Sequence, residues 1–270
     1  VLEGKTVLVT GASAGIGAAV ARELAVHGAN LVLAARRRDR LDALAAELSG
    51  RVKVHVVTAD VTRDGDLERV VAEAEAAFGR LDVAVANAGF AVTGPFARLG
   101  LPDFRRQFET NVFGVLRTAY AALPALERAK GQLVLMGSVS GHVAGDRLAP
   151  YSMSKFAVRA LAESIHDELA ARDIAVTLLS PGFIVSDIGR VDNDGAWHEE
   201  DRSRAPRWLR VDTAAAAREI VAAIETRPRE AVITTHGRLV VFLGRHAPWL
   251  LRALFRAFAP RGARATSNSS

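Results

Sequence analysis

Through its first two-thirds the chain alternates between short β-branched apolar runs and longer alanine-rich stretches. The runs Lys5–Thr10, Asn30–Ala35, Val52–Thr58, Val83–Ala86, Gln132–Gly137 and Ala175–Ser180 read as strands, and Ala231–Thr234 as a seventh. They are apolar almost throughout, as strands covered on both faces are. Helical patterns lie between them at Ile16–His27, Arg38–Leu48, Asp64–Phe78, Leu101–Ala129, Tyr151–Ala171 and Thr213–Thr226. Strand and helix in alternation predict an α/β fold built on a doubly wound, seven-stranded parallel sheet. No internal repeat is visible. The polar, charged stretch Asp187–Arg210 reads as an insertion over one edge of the sheet, with a substrate loop at about 187–210.

Length fits this picture. At roughly 150 residues per domain, 270 residues allow one large domain. The expected division is a single large α/β domain over 1–236, a C-terminal helical extension over 237–260 and a disordered tail over 261–270. Half of the residues are hydrophobic and 24% are charged, which excludes a disordered or collagen-like chain. There is no cysteine, so disulfides, Cys-ligated zinc, iron–sulfur clusters and thiol catalysis are excluded. No histidine pair has metal-ligand spacing, and no metal is expected. The N-terminus lacks a charged start followed by a long apolar run, and no window holds about 18 uninterrupted apolar residues, so neither a signal peptide nor a spanning helix is expected.

The charge is unevenly placed. Residues 1–200 carry 22 Lys/Arg against 25 Asp/Glu, whereas residues 201–270 carry 13 against 5. The net +5 therefore describes a near-neutral body with a basic tail. A basic stripe can meet nucleic acid or an anionic membrane, but the tail lacks the interleaved aromatics of a nucleic-acid module, and no nucleic-acid partner is expected.

The first strand runs into Thr10–Gly17, TGASAGIG, and a helix opens inside it. Glycines at 11, 15 and 17 permit unusual backbone angles and close approach of a ligand. The free N–H groups of the helix N-terminus suit a pyrophosphate; the plain alternative is an ordinary glycine turn. The second strand ends in Ala34-Ala35, followed by Arg36, Arg37 and Arg38. NAD-binding folds of this type place an acid at that strand end to hold the ribose 2′-hydroxyl. Ala35 stands there, with arginine next, and a guanidinium matches a 2′-phosphate by charge and fork geometry. The pattern favours NADP(H) over NAD(H), with Arg36 as the main contact; Arg38 and Arg40 fit a solvated start to a helix.

A second signal is YSMSK, Tyr151 to Lys155. An i, i+4 spacing puts both side chains on one helix face. A phenol with an ordinary pKa of about 10 is a poor acid–base near neutrality, and an adjacent ammonium lowers that value. The chain has only four lysines among its 35 basic residues, so one at this position stands out. Thirteen residues before Tyr151 the fifth strand ends in Gly137-Ser138. The fourth ends in Ala86-Asn87-Ala88-Gly89, Asn111 lies in the following long helix, and Pro181-Gly182 closes the sixth strand.

Together these signatures, in this order and on these elements, resemble the classical short-chain dehydrogenase/reductase family, NADP-dependent type, over about residues 3–190. The resemblance implies catalytic roles for Ser138, Tyr151, Lys155 and Asn111. Tyr151 would be the general acid–base, Lys155 would lower its pKa and hold the nicotinamide ribose, Ser138 would bond the substrate oxygen, and Asn111 would support a water-mediated proton relay. It implies a Rossmann-fold, dinucleotide-binding and catalytic domain over 1–236, with Gly11, Ser13, Gly15, Ile16, Gly17, Arg36 and Arg37 among the cofactor-binding residues. Asp60 and Val61 would meet the adenine, and Asn87, Ala88 and Gly89 the adenosine ribose. Pro181, Gly182, Ile184 and Ser186 would embrace the nicotinamide end. A threonine is usual where Ser186 stands, and the first of the family's two usual asparagines is Ala86 here. The cofactor implied is NADP(H), the reaction hydride transfer between the nicotinamide and a carbonyl or secondary alcohol, and the assembly a homodimer or homotetramer. A dinucleotide-binding sensor would be expected to lack Ser138, Tyr151 or Lys155; an epimerase or dehydratase using the same motifs stays open.

Substrates of such sheets bind beyond the carboxyl ends of the strands. His142, Val143, Phe90, Phe183 and Trp197 therefore suggest a mostly apolar pocket for a small carbonyl or alcohol. In the tail, Arg238, Arg245, Arg252 and Arg256 are spaced to stack on one helix face, while Pro248 reads as the start of a second helix, from which Leu250, Leu251, Leu254, Phe255 and Phe258 form an apolar stripe. An amphipathic membrane-surface helix and a helix packed on its own domain or a neighbouring subunit both fit 237–260. The expected location is cytoplasmic, with peripheral membrane attachment as the alternative.

Overall fold

The computed structural model describes residues 2–185, 192, 193, 196, 198 and 210–258, with side-chain surroundings through 254. Seven strands form one parallel sheet in the order β3-β2-β1-β4-β5-β6-β7. They are β1 (Thr6–Thr10), β2 (Asn30–Ala35), β3 (Val54–Thr58), β4 (Val83–Ala86), β5 (Gln132–Met136), β6 (Ala175–Pro181) and β7 (Glu230–Ile233). Leu8 of β1 lies opposite Val32 of β2 and Ala84 of β4. The order reverses at that β1–β4 junction, where the crevice of a doubly wound sheet opens at the carboxyl ends of the strands.

Alternation explains why these strands are apolar on both sides. Val7, Val9, Leu31 and Leu33 join one buried layer with Leu24 and Ile220, from α1 (Gly15–Val26) and α7 (Thr213–Thr226). Their neighbours Leu8 and Val32 face the opposite layer with Leu126 and Val158, from α5 (Gly114–Ala129) and α6 (Ala149–Ala170). Successive strand side chains point to opposite faces, and each face has its own helices. Helices α2 (Arg38–Leu48) and α3 (Asp66–Phe78) complete the two layers.

Two expectations from the sequence are corrected. The stretch expected as one helix from 101 to 129 is three pieces: α4 (Leu101–Phe108), a π-helical turn (Glu109–Phe113) and α5. A π turn widens the helix by one residue, and such turns are frequent at functional sites; this one carries Asn111, fully buried. The tail arginines do not share one helix. Two helices, α8 (Thr235–His246) and α9 (Pro248–Phe258), meet at Ala247, whose φ of −142° and ψ of 58° are not helical. Arg238 and Arg245 therefore lie on α8, and Arg252 and Arg256 on α9. Val241 and Leu251 are buried. Arg238 pairs with Glu219 at 2.7 Å and Arg245 approaches Glu230 at 3.7 Å. Leu239, Phe242 and Trp249 remain exposed. Among the described residues, no helix is long and apolar enough to cross a membrane.

Candidate active site

The glycine loop is built by β1 and β4 together. Gly11 and Gly15 have φ of +68° and +52°, a region that L side chains rarely adopt. Gly17 is required by space instead: a Cβ there would meet the Gly11 carbonyl oxygen and lie 2.6 Å from Asn87 Nδ2. Thr10 Oγ1 donates to the Val85 carbonyl and accepts from the amides of Asn87 (3.0 Å) and Ala88 (3.1 Å). Asn87 Nδ2 donates to the Thr10 carbonyl at 2.8 Å. Asn87 thus acts on the loop that would cradle the phosphates, and Thr10, which the sequence reading passed over, is its counterpart. Ala14 gives α1 no side-chain cap, so the free N–H groups of Gly15, Ile16 and Gly17 fit a pyrophosphate.

Beside this loop, Arg37 donates to Ser13 Oγ through Nε (3.2 Å) and Nη2 (3.1 Å). Arg36, favoured on position alone, is exposed. The turn after β2 brings Arg37, not its neighbour, across to the glycine loop. Arg38 pairs with Asp42 one helical turn on. Asp60 Oδ1 accepts from the amide and hydroxyl of Thr62 at 3.0 and 2.8 Å, which fixes the bend after β3. Val61 is buried, and a Cβ on Gly114 would lie 2.7 Å from Val61 Cγ2, so α5 sits directly on this bend.

Ser138, Tyr151 and Lys155 come together where β5 ends and α6 begins. Ser138 leaves β5 in an extended conformation and caps a short 3-10 helix, Val139–Gly141, by accepting from the Ser140 amide at 3.1 Å. Tyr151 and Lys155 come from α6. Burial lowers the Lys155 ammonium to about 8, and its Nζ donates to the Met136 carbonyl at 2.8 Å. Burial also pushes the Tyr151 phenol up, while its hydrogen bond to Ser138 works the other way. Lys155 Nζ is 5.8 Å from the centre of the Tyr151 ring.

A buried amide network supports the loop after β4. Asn111 Oδ1 accepts from the Phe90 amide (3.1 Å), while its Nδ2 donates to the Phe90 carbonyl (3.1 Å) and to Ser154 Oγ (3.2 Å). Ser154 Oγ in turn donates to the Tyr151 carbonyl at 2.7 Å. Gln107, also fully buried, accepts from the Val92 amide at 2.6 Å and donates to the Phe90 carbonyl at 2.9 Å. A Cβ on Gly89 would lie 3.0 Å from Asn111 Oδ1. The sequence reading missed Gln107 and Ser154. Both letters were visible, but their burial depends on how the π turn packs against α6.

On the substrate side the outcome is mixed. Phe90 is buried at the mouth of the crevice, and Phe183 is exposed. His142 does not face a pocket: its side chain is only 3% exposed, with Nε2 at 2.7 Å from Glu230 and 3.1 Å from Ser180 Oγ. The short helix before it turns the ring inward against β6 and β7. Val143 is likewise met by α8, where a Cβ on Gly244 would lie 2.5 Å from Val143 Cγ2. Pro181 is buried, and Ile184 bridges to Val211. Ser186, Trp197, most of the loop 187–210 and the tail 261–270 lie outside the described residues.

Comparison with known proteins agrees with this arrangement. The family model for short chain dehydrogenase matches residues 5–196. An uncharacterized oxidoreductase of Mycobacterium tuberculosis is 39% identical over 236 residues, covering 84% of this chain and 87% of its own length. Among solved structures, an alcohol dehydrogenase from the archaeon Thermococcus sibiricus, complexed with 5-hydroxy-NADP, superposes with a TM-score of 0.73 at 30% identity, over 85% of this chain and 95% of that one. A short chain dehydrogenase/reductase from Burkholderia phymatum in complex with NAD superposes with a TM-score of 0.80 at 25% identity, over 93% and 96%.

Proposed function

The chain belongs to the short-chain dehydrogenase family of oxidoreductases, and from that premise we propose that it is an NADP(H)-dependent carbonyl reductase or alcohol dehydrogenase acting on a small, mostly apolar substrate. The observation that carries this reading is the convergence of Ser138, just past β5, with Tyr151 and Lys155 of α6. The pairing of Arg37 with Ser13 supports a phosphate on the adenosine ribose, because a guanidinium fork beside a hydroxyl is a phosphate-binding arrangement.

When bound, the nicotinamide supplies or accepts the hydride. The chain's own residues manage the oxygen and its proton. Ser138 holds the substrate oxygen by a hydrogen bond, and Tyr151 donates the phenolic proton to it as the carbonyl becomes an alcohol; oxidation runs the proton back. Burial favours the neutral phenol, and the hydrogen bond to Ser138 works against that burial. Lys155, anchored on the Met136 carbonyl, places positive charge beside the phenolate left after donation. Asn111, tied to Phe90 and Ser154, fixes the helix that carries Tyr151. Exposed Phe113 and Tyr120 on the outer side of the 109–129 segment support assembly as a homodimer or homotetramer. With Arg238 and Arg245 directed to the chain's own acids, the tail is read as packing on its own domain.

The test is Tyr151→Phe, assayed for NADPH consumption over ketones and aldehydes and for NADPH and NADH binding by fluorescence titration. Turnover should fall by about 10²–10⁴-fold, the usual worth of a positioned acid–base, with NADPH binding kept and tighter than NADH binding. An active Tyr151→Phe enzyme would overturn the assignment; tighter NADH binding would overturn the cofactor choice.

A further inference from the structure

The turn that leaves β6, Pro181-Gly182-Phe183, is held by a residue well outside the family signatures. The Phe183 amide donates to Nε2 of His236 at 2.9 Å. The two rings stack at 5.8 Å with 14° between their planes. A Cβ on Gly182 would lie 2.5 Å from Thr234 Oγ1 and 2.7 Å from His236 Nε2, so the turn is pressed against both side chains. Thr234 is itself held in an unusual conformation, with φ of +83°, while almost fully buried. Its amide donates to Glu219 Oε2 (3.2 Å), its hydroxyl accepts from the Gly237 amide (3.3 Å) and its carbonyl from the Arg238 amide (3.1 Å). A backbone held there by three separate bonds gives His236 a fixed origin.

We propose that His236 is a positioning residue for the reaction, which as a neutral imidazole fixes the Pro181–Phe183 turn against the nicotinamide end of the dinucleotide site. The proposal rests on the dinucleotide site described under Proposed function. The chemistry is one of donors and acceptors. An amide N–H can bond Nε2 only through the nitrogen's lone pair, so the ring proton must sit on Nδ1. Thr234 Oγ1 lies 3.2 Å from the same Nε2; protonation would set Nε2–H against the Phe183 N–H, turn it to the Thr234 oxygen and release the turn. The surroundings favour the neutral ring. Burial lowers the His236 pKa, and Glu219 works in the opposite direction. Glu219, on α7, is already engaged by Arg238 of α8 at 2.7 Å. The other ionisable groups on the elements packed there, Glu230 on β7, His142 after the 3-10 helix and Arg245 on α8, are directed to one another.

The experiment uses the full chain with NADPH as the probe, comparing wild type, His236→Ala and His236→Gln. Glutamine offers an amide oxygen to the same N–H and does not titrate. At about pH 8, well above the ordinary imidazole value of about 6.5, His236→Ala should bind NADPH about tenfold more weakly, the usual worth of one such bond, and His236→Gln should recover most of that loss. On acidification, wild type should weaken more steeply than His236→Gln; the titration of the NADPH 2′-phosphate is common to both and cancels. Hydrogen exchange of the 181–185 segment without NADPH provides a readout independent of the cofactor. Protection should be present in wild type near pH 8, lost in His236→Ala and kept in His236→Gln. Unchanged exchange in His236→Ala, or identical acid dependence of wild type and His236→Gln in both measurements, would overturn the proposal. Absence of NADPH binding by wild type would instead overturn the cofactor reading, and the exchange arm would still decide the role of His236.

Discussion

The two halves of the crevice hold their loops by different chemistry. On the β1–β4 side, Thr10, Asn87, Gln107 and Asn111 fasten residues 10–17 and 86–92 with hydroxyls and amides. On the β6–β7 side, the imidazoles of His236 and His142 and the carboxylates of Glu219 and Glu230 hold or flank residues 180–185. The first half is therefore held by neutral hydroxyls and amides, while the second is held by imidazoles and carboxylates. A phosphate cradle needs a constant shape, because its ligand binds through many fixed N–H groups.

The strongest way to break the comparison is Gln107→Leu. It leaves the buried Val92 amide without its acceptor at 2.6 Å, which should cost about 1–3 kcal/mol. Urea unfolding should report the same loss near neutrality as at mildly acid pH, since an amide does not titrate; a strongly pH-dependent loss would sink the idea of a charge-independent half. A smaller effect is expected from Gly17→Ala. The added Cβ meets Gly11 and Asn87, and displacing that loop should weaken NADPH binding about tenfold, as read by fluorescence titration with the unfolding midpoint little changed. Retention of full affinity would mean that the cradle is not held as tightly as its bonds imply.

The smallest effect should come from Glu230→Gln, and it sharpens the other side of the comparison. Burial works to raise the Glu230 carboxyl, but the His142 hydrogen bond and the charges of His142, Arg159 and Arg245 outweigh it and hold the group below its ordinary value. A carboxyl lowered in the folded state adds stability above its unfolded pKa, and that stability is lost as pH falls through the folded value. Glu230→Gln should therefore be less stable than wild type near pH 7 by under about 1 kcal/mol, with the gap closing toward acid pH. Equal stability at both ends of the range would show that the pair contributes nothing.

Much of this fold could be read from the letters. The bounds of β2, β4, α2 and α7 coincide with the apolar runs, because a strand buried on both faces and a helix with one buried face leave unmistakable periods. The glycine spacing and the Tyr151–Lys155 pair are equally local, since each depends on neighbours within a turn of helix or loop. The π turn at Glu109–Phe113 left no such trace. It exists because Asn111 reaches the Phe90 backbone and Ser154, two partners 21 and 43 residues away. The same reason separates Arg36 from Arg37: composition places a guanidinium after β2, but only the course of the turn decides which one reaches Ser13. The tail arginines were misjudged because a regular spacing assumes an unbroken helix, and the chain bends at Ala247.

By itself, then, the sequence determined the parallel doubly wound sheet, the glycine loop and the Tyr151–Lys155 spacing on one helix, because each is written in short-range pattern and residue chemistry. The tertiary structure alone decided that Asn87 pins the glycine loop, that His142 turns inward to Glu230, and that His236 accepts the Phe183 amide across 53 residues. Those are pairings between polar groups that become obligatory only once burial removes water as the alternative partner, and burial is a property of the packed chain.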